Sequence, residues 1–333
     1  MKNQKKTPSQ KIITGDPFLD SLHTLAPSDI DSKIPKKKVS GYVGPLVRLG
    51  VLLVCVTVLV ASLLSIAASL ADYRNADSYY GELAGMWGDS GGTGGNPFGP
   101  LNLAYKNKAD SGTPLYGMAI SNPDNTPEVE IGQGDSAEMI QLRAKLNALK
   151  TQNKDFLAWI TIPNTKIDYP TVHTVDNEYY LNHSFEGDYL RAGTIFADYR
   201  NSKDLMANKN TVLYGHNMMS GAMFSCISDF FSRSYFAENR YIYLYTTDGI
   251  FVYQTFAIRK VKISRDVTYI TTHFENGEEF LTFANRMMKA SAVKLNDLTF
   301  TENDRILTLS TCTNSHNDNE RYCLQAKLVN IIQ

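Results

Sequence analysis

The sequence predicts a mainly β domain, a closed or nearly closed β-barrel, that follows a single N-terminal transmembrane helix. Two observations carry this prediction. Residues 49–71 form one long apolar stretch without a charge, and residues 136–333 contain seven or eight short runs of strand-forming residues separated by turn residues. So many short strands in fewer than 200 residues favour a barrel, because closure leaves no sheet edge unpaired.

Composition excludes several other classes of protein. The 33 Lys and Arg residues balance the 34 Asp and Glu residues, whereas a nucleic-acid-binding protein needs a clustered excess of positive charge. With 43% hydrophobic residues, the chain has enough apolar side chains for a packed core and is not disordered throughout. Four cysteines without a CxxC pair are too few for a disulfide scaffold and do not suggest a zinc site.

The apolar stretch at residues 49–71, LGVLLVCVTVLVASLLSIAASLA, has the length of a membrane-spanning helix. At a rise of about 1.5 Å per residue, its 23 residues cross a hydrocarbon core of about 30 Å with some tilt. A buried helix of a soluble protein would carry a polar stripe, and a cleavable signal peptide would have a shorter apolar region nearer the N-terminus. Cleavage after the sequence AASLA remains an alternative.

The charges on either side of this helix predict its orientation. Nine Lys or Arg residues precede it, while residues 72–89 contain one arginine and four acidic residues. The positive-inside rule therefore places residues 1–48 in the cytoplasm, as a disordered tail, and everything after residue 71 outside the cell membrane. Residues 72–135, rich in Gly, Pro, Asn and Asp, are predicted to form a stalk with a short amphipathic helix at 76–86.

The domain at 136–333 is predicted to begin with a helix and to continue as strands and turns. The first helix has apolar residues at helical spacing, namely Met139, Leu142, Leu146 and Leu149. The strand-type runs are LAWITI, IDYPTV, GTIFAD, NTVLYGH, YIYLYT, IFVYQTFAIRKVKI, DRILTLSTC and YCLQAKLVNII. Two further helices interrupt them, one near residues 222–236 and one at 275–290.

The strand TLSTC ends at Cys312, directly before the polar loop TNSHNDNE. Alternation along the strand puts Thr308, Ser310 and Cys312 on one face, and a cysteine at such a strand end is more exposed than the buried free cysteine that is usual. Arg321 begins the next strand. If the two strands are antiparallel neighbours, the loop brings Arg321 opposite Cys312, where its charge would lower the pKa of the thiol and stabilise an oxyanion.

His216, in YGHN, follows another apolar strand, and Gly215 would let the chain turn sharply and present the imidazole. Convergence of His216 with Cys312 and Arg321 would form a site for acyl transfer. There the thiolate would attack, the imidazole would protonate the leaving amine and the guanidinium would stabilise the developing charge. The sequence gives less reason to assign a function to four other histidines, His23, His173, His183 and His273.

Two alternatives compete for Cys312. It could bind a metal together with His316 and Cys323, although the spacing C-x3-H-x6-C matches no common zinc pattern and lacks an evident fourth ligand. It could also form a disulfide with Cys323 outside the membrane, which would remove the nucleophile.

Together, TLSTC at Cys312, YGHN at His216 and the later Arg321 resemble the sortases, the membrane-anchored cysteine transpeptidases of Gram-positive bacteria. The resemblance covers residues 136–333. The predicted helical insertion and three further stretches resemble class B sortases in particular: KDFLAWITIPNTKIDYP, DNEYYLNHSFEGDYLRAGTIFADYRN and LYGHNMMSGAMFSCISDF. A general cysteine protease of the papain type is disfavoured, because there the cysteine precedes the histidine in the chain.

The resemblance implies an eight-stranded sortase barrel with an N-terminal helix and an inserted helix before the strand of the catalytic cysteine. It implies Cys312 as the nucleophile, His216 as the general acid and base, and Arg321 as the group that stabilises the oxyanion or orients the substrate. The substrate groove would be lined or supported by Thr308, Leu309, Ser310 and Asn217. Residues 272–294 would contribute to selectivity, and no metal or other cofactor is implied.

The implied function is cleavage of a C-terminal sorting signal of the LPxTG or NPxTN type through a thioacyl intermediate, followed by transfer of the protein to a cell-wall amine. The implied partners are surface proteins that carry the signal, a peptidoglycan precursor or cross-bridge, and the membrane. Two alternatives remain. One is a pilin-polymerising sortase that uses a pilin lysine, and the other is a catalytically silent module that only binds sorting signals.

Overall fold

A computed structural model of the chain describes residues 44–88, 137–295, 297–312 and 319–333. Its strands are β1 (Phe156–Thr161), β2 (Asp168–His173), β3 (Ile195–Ala197), β4 (Asn210–Tyr214), β5 (Tyr241–Thr246), β6 (Gly249–Lys262), β7 (Ile306–Cys312) and β8 (Glu320–Ile332). They close into a barrel in the order β1-β2-β3-β4-β7-β8-β6-β5. Neighbouring strands are antiparallel except for the parallel pairs β2–β3 and β4–β7. The predicted eight-stranded barrel is confirmed.

The α-helices are α1 (Pro45–Gly88), α2 (Ala137–Gln152), α3 (Arg233–Glu238) and α4 (Gly277–Lys289). The inserted helix predicted at 275–290 is α4, which begins after Asn276, whose side chain accepts a hydrogen bond from the Glu279 amide at 2.9 Å. The helix predicted near 222–236 divides into a 3₁₀ helix, Ser225–Phe231, and the short α3.

The apolar side chains form a barrel interior and two outer layers. Leu307 and Leu309 of β7 point into the interior with residues of β8 such as Leu324. Helix α2 covers one outer side through Met139, Leu142, Leu146 and Leu149, the four residues that the sequence places at helical spacing. Helix α4 covers β6, β7 and β8 through Phe280, Phe283, Ala284 and Met287. The first residue of β7, Ile306, therefore lies beside the inserted helix.

Helix α1 is the one helix within the described ranges that is long and apolar enough to cross a membrane. Its apolar side chains between Val47 and Ile66 are about half exposed or more. An apolar surface of this extent is unfavourable in water and favourable in a hydrocarbon core.

The last part of α1 belongs to the folded domain. The chain divides into two units, residues 1–63 and Leu64–Gln333. In the second unit, Ala76, Tyr80 and Leu83 are almost fully buried in the core that they share with the barrel. The helix predicted at 76–86 is thus the end of a longer helix. Residues 89–136, which hold most of the predicted stalk, lie outside the described residues, as do residues 1–43 of the predicted tail.

Candidate active site

Cys312 and Arg321 lie opposite each other. Strands β7 and β8 are antiparallel, and their register pairs the Cα atoms of Cys312 and Arg321. Cys312 is the last residue of β7, so it stands at the rim of the barrel. The Arg321 side chain is partly buried and donates a hydrogen bond from Nη1 to the Glu320 carbonyl at 2.8 Å. The loop at 313–318, with His316, lies outside the described residues.

His216 lies at the same end of the barrel as Cys312. Strand β4 runs parallel to β7 with Tyr214 paired to Ser310, and the Gly215 amide donates to the Ser310 carbonyl at 3.2 Å. Strand β4 ends at Tyr214, so His216 lies two residues beyond it, at the barrel end where β7 ends at Cys312. The neighbour of Cys312 on the other side of β7 is Arg321 of β8.

Gly215 is required for packing. A Cβ atom on Gly215 would lie 2.7 Å from the ring of Phe224, which is fully buried. The Phe224 amide in turn donates to the His216 carbonyl at 2.9 Å. The backbone of Gly215 does not lie in the left-handed region that favours glycine. The glycine is therefore required by the close approach of the Phe224 ring, and not by the sharp turn that the sequence predicts.

The half-buried imidazole of His216 contacts a backbone carbonyl. Its Nε2 lies 2.8 Å from the oxygen of Leu181, in the loop between β2 and β3. A carbonyl oxygen only accepts hydrogen bonds, so a neutral imidazole in this position carries its proton on Nε2. Nδ1 is then the basic nitrogen, which can take up a proton and return it. The backbones of Cys312, His216 and Arg321 thus come to one barrel rim. Their side chains are a thiol, an imidazole and a guanidinium, the groups that acyl transfer through a thioester needs.

Known proteins share this arrangement of strands. The sortase-domain family model matches residues 160–329, a range that contains His216, Cys312 and Arg321. The chain belongs to the sortase family. Sortase B of Listeria monocytogenes is 35% identical over 191 residues, which is 57% of this chain and 76% of the relative.

Solved structures agree with this assignment. The sortase B structure from Clostridium perfringens is 33% identical with a TM-score of 0.52, covering 55% of this chain and 99% of that one. The substrate complex of Staphylococcus aureus sortase B is 32% identical with a TM-score of 0.52, covering 56% and 85%. This sortase is a class B member and a cysteine transpeptidase.

Three of the four residues predicted to line or support the substrate groove are buried in this sortase. Thr308 donates to Asn210 Oδ1 at 2.8 Å and accepts from Gln325 at 3.2 Å, Leu309 lies inside the barrel, and Ser310 is 2% exposed. Asn217, next to His216, is half-buried and forms a backbone bridge with Met223.

The buried carboxylate of Asp198 binds Tyr214, the last residue of β4, two residues before His216. Asp198 was not identified from the sequence. Asp198 accepts hydrogen bonds from the Tyr214 hydroxyl at 2.7 Å and from Arg200 at 2.7 and 2.8 Å. Arg200 also donates to the Ile270 carbonyl at 3.1 Å. Burial alone would raise the pKa of Asp198, but the hydrogen bonds from Arg200 and Tyr214 outweigh it and hold the pKa below its ordinary value. The stretch GTIFADYRN contains Asp198 and Arg200, but nothing in it reveals the distant Tyr214.

We expect Asp198→Asn to lower the free energy of unfolding by about 2 kcal/mol at pH 7, since it weakens charge-assisted hydrogen bonds at a buried site. A depressed pKa stabilises the fold above the ordinary pKa of an aspartate and loses this effect as the pH falls through the folded-state value. The difference between wild type and variant should therefore shrink below about pH 4. Thermal unfolding of the full chain at pH 7 and pH 3 measures it. The exposed Asp188→Asn is the matched control, and an equal loss at both pH values would contradict the prediction.

The other domain cysteines are poor nucleophiles. Cys323 is free and fully buried in the layer under α4, paired in register with Ser310, and burial raises the pKa of its thiol. Cys226 is free and partly buried, and burial raises its pKa as well. Among the described residues no group of three His, Cys, Asp or Glu side chains could hold a metal ion. His316, one of the ligands of the metal alternative, is not among those residues.

Proposed function

We propose that this sortase cleaves a C-terminal sorting signal after its threonine and joins the new acyl group to an amine of the cell wall, with Cys312, His216 and Arg321 as the catalytic residues. The observation that carries the proposal is the backbone register, in which Cys312 is opposite Arg321 at the barrel end where His216 leaves β4. A structural relative, sortase B of Staphylococcus aureus, has been solved in complex with substrate, which supports a substrate-binding role for this barrel.

In the first half of the reaction, the Cys312 thiolate attacks the carbonyl carbon of the signal threonine. The tetrahedral oxyanion is stabilised by the Arg321 guanidinium. Collapse breaks the C–N bond, and the His216 imidazolium gives its Nδ1 proton to the departing amine. The products are a thioester on Cys312 and a peptide with a free amino group.

In the second half, a cell-wall amine attacks the thioester. Neutral His216 takes a proton from the attacking nitrogen, a new amide bond forms, and the Cys312 thiolate leaves. The thiolate and the imidazolium are then restored. Over the whole cycle, each acyl group transferred releases one amine and consumes another.

We infer that the reaction takes place on the outer side of the cell membrane. Helix α1 is long and apolar enough to span it, and nine basic residues precede the apolar stretch. Under the positive-inside rule the N-terminus stays in the cytoplasm and the barrel lies outside. A sorting signal and a cell-wall precursor would both be accessible there.

Selectivity for the signal is proposed to involve residues 272–294, which include α4. The segment leading into them is held on the barrel by Asn210, whose Nδ2 donates to the carbonyls of Tyr269 at 3.2 Å and Thr271 at 2.9 Å. Thr308 binds the Oδ1 atom of the same Asn210. Through this contact a residue of the catalytic strand supports the insertion.

The test uses the full chain in detergent micelles with quenched fluorescent peptides that contain LPxTG, NPxTN or SPxTG. Intact-mass spectrometry follows the acyl adduct, and added amines test its resolution. We expect cleavage after the threonine with an adduct on Cys312 that disappears as the amide product forms. If no peptide yields an adduct on a protein whose Cys312 is free, the proposal is wrong and the silent binding module is favoured.

A further inference from the structure

The last part of α1, from Leu64 to Gly88, contacts both loops that surround His216. One is the β2–β3 loop (residues 174–194), which supplies the Leu181 carbonyl to the imidazole. The other is the His216 loop (residues 215–224), which follows β4. Helix α1 lies outside residues 160–329, the range that the family model matches. Its buried residues nevertheless face these two loops.

The first contact runs through Tyr80. Its hydroxyl donates to the Gly193 carbonyl and lies 3.2 Å from Thr194 Oγ1, in a fully buried position. Gly193 has a φ of +58°, and a Cβ there would lie 2.6 Å from the Leu181 oxygen. The backbone of Gly193 is thus packed directly on the carbonyl that binds His216 Nε2. Tyr80 fixes Gly193, and Gly193 limits where Leu181 can lie.

The second contact reaches the other side of His216. The Tyr80 ring packs edge-on against Tyr169, with centroids 5.4 Å apart, and the Tyr169 hydroxyl accepts a hydrogen bond from the Met223 amide at 3.1 Å. Met223, at a φ of 57°, pairs with Asn217, the residue next to His216.

A third contact comes from one turn earlier in the helix. Asp77 Oδ1 accepts a hydrogen bond from the Ser220 hydroxyl at 3.1 Å. The His216 loop is therefore held by α1 at two points, directly at Ser220 and through Tyr169 at Met223.

We propose that the last part of α1 is a positioning element of the active site and that Tyr80 is its main positioning residue. This inference rests on the proposed role of His216. The imidazole follows the end of a strand, so its place depends on the two loops rather than on a sheet ladder. Because misplacement of a reacting group by about 1 Å can cost up to about 100-fold in rate, a helix that fixes both loops contributes to catalysis without touching the substrate.

We expect Tyr80→Phe to lower kcat about tenfold while KM changes less than about twofold, since the ring and its packing stay and only the hydroxyl contact is lost. The matched control is Tyr79→Phe on the same helix, whose hydroxyl accepts a hydrogen bond from the Glu186 amide at 3.3 Å, a contact that involves neither Gly193 nor Leu181. Both variants are made in the full chain with ¹³C-labelled histidine. The His216 ring signal, assigned from its loss in His216→Ala, should move in Tyr80→Phe and stay in Tyr79→Phe.

A second variant changes Asp77, whose hydrogen bond with Ser220 is exposed, so its loss leaves the core intact. Asp77→Ala should also move the His216 signal, by less than Tyr80→Phe does. The inference is overturned if the His216 signal stays at its wild-type position in both variants, or if Tyr79→Phe moves it equally. The signal needs no substrate. A moved signal in an enzyme that cleaves no peptide would therefore refute the proposed function alone, and an unmoved signal in an active enzyme would refute this inference alone.

Discussion

Cys312→Ala is expected to abolish peptide cleavage, with a loss of at least about 10⁴-fold in kcat. The remaining domain thiols cannot replace the nucleophile, because Cys323 is fully buried, Cys226 is partly buried, and burial raises the pKa of both thiols. No adduct should appear in intact-mass spectra. Binding of an uncleaved signal peptide, measured by fluorescence anisotropy, should change less than about twofold, because the substitution removes a single side-chain atom and the nucleophile acts only in the chemical step.

The matched control for this substitution is Cys226→Ala. It also removes one sulfur from the domain, at a partly buried position in the 3₁₀ helix Ser225–Phe231. It should keep the adduct and nearly all of the cleavage rate. A Cys312→Ala protein that still turns over peptide, or a Cys226→Ala protein that loses its adduct, would contradict the assignment of the nucleophile.

The fold could be predicted from the sequence where the signal is local. The strands are short runs of strand-forming residues that end at turn residues, α2 has four apolar residues at helical spacing, and α4 begins at an asparagine cap. The helix predicted at 76–86 was too short. The uncharged apolar stretch ends before Asp72, which suggests that the membrane helix ends there. The helix continues because Tyr80 and Leu83 pack on the barrel, and that packing cannot be seen in the sequence.

The site could be predicted only in part. Cys312 and Arg321 are close in the chain, so a hairpin argument gives their register, and the structure has it. The role of Gly215 could not be derived, because the Phe224 ring that leaves no room for a Cβ lies nine residues further along the chain. The loop between the two residues brings the ring into contact with Gly215. Asp198, Tyr214 and Tyr80 were missed for a similar reason. Their contacts join segments that are distant in sequence, and no spacing rule connects them.

His216→Ala is expected to reduce cleavage of an amide signal peptide about 10³-fold, which is the contribution of a positioned general acid and base. The expulsion of an amine requires a proton, and the imidazole is the group proposed to give it. An analogue with an activated aryl ester in place of the scissile amide has a phenolate leaving group, which departs without protonation. The variant should therefore lose only about tenfold on the ester, provided that the thiol is deprotonated by raising the pH.

The matched control is His183→Ala. His183 lies in the β2–β3 loop two residues from Leu181, stacks on Tyr179 and binds the Tyr179 carbonyl through Nδ1 at 2.6 Å. It tests whether any imidazole near this rim suffices. We expect its amide and ester rates to stay near those of the wild type. Equal losses of His216→Ala on amide and ester would mean that His216 only holds the loop at Leu181, and the proton donor would then have to be sought elsewhere at the rim.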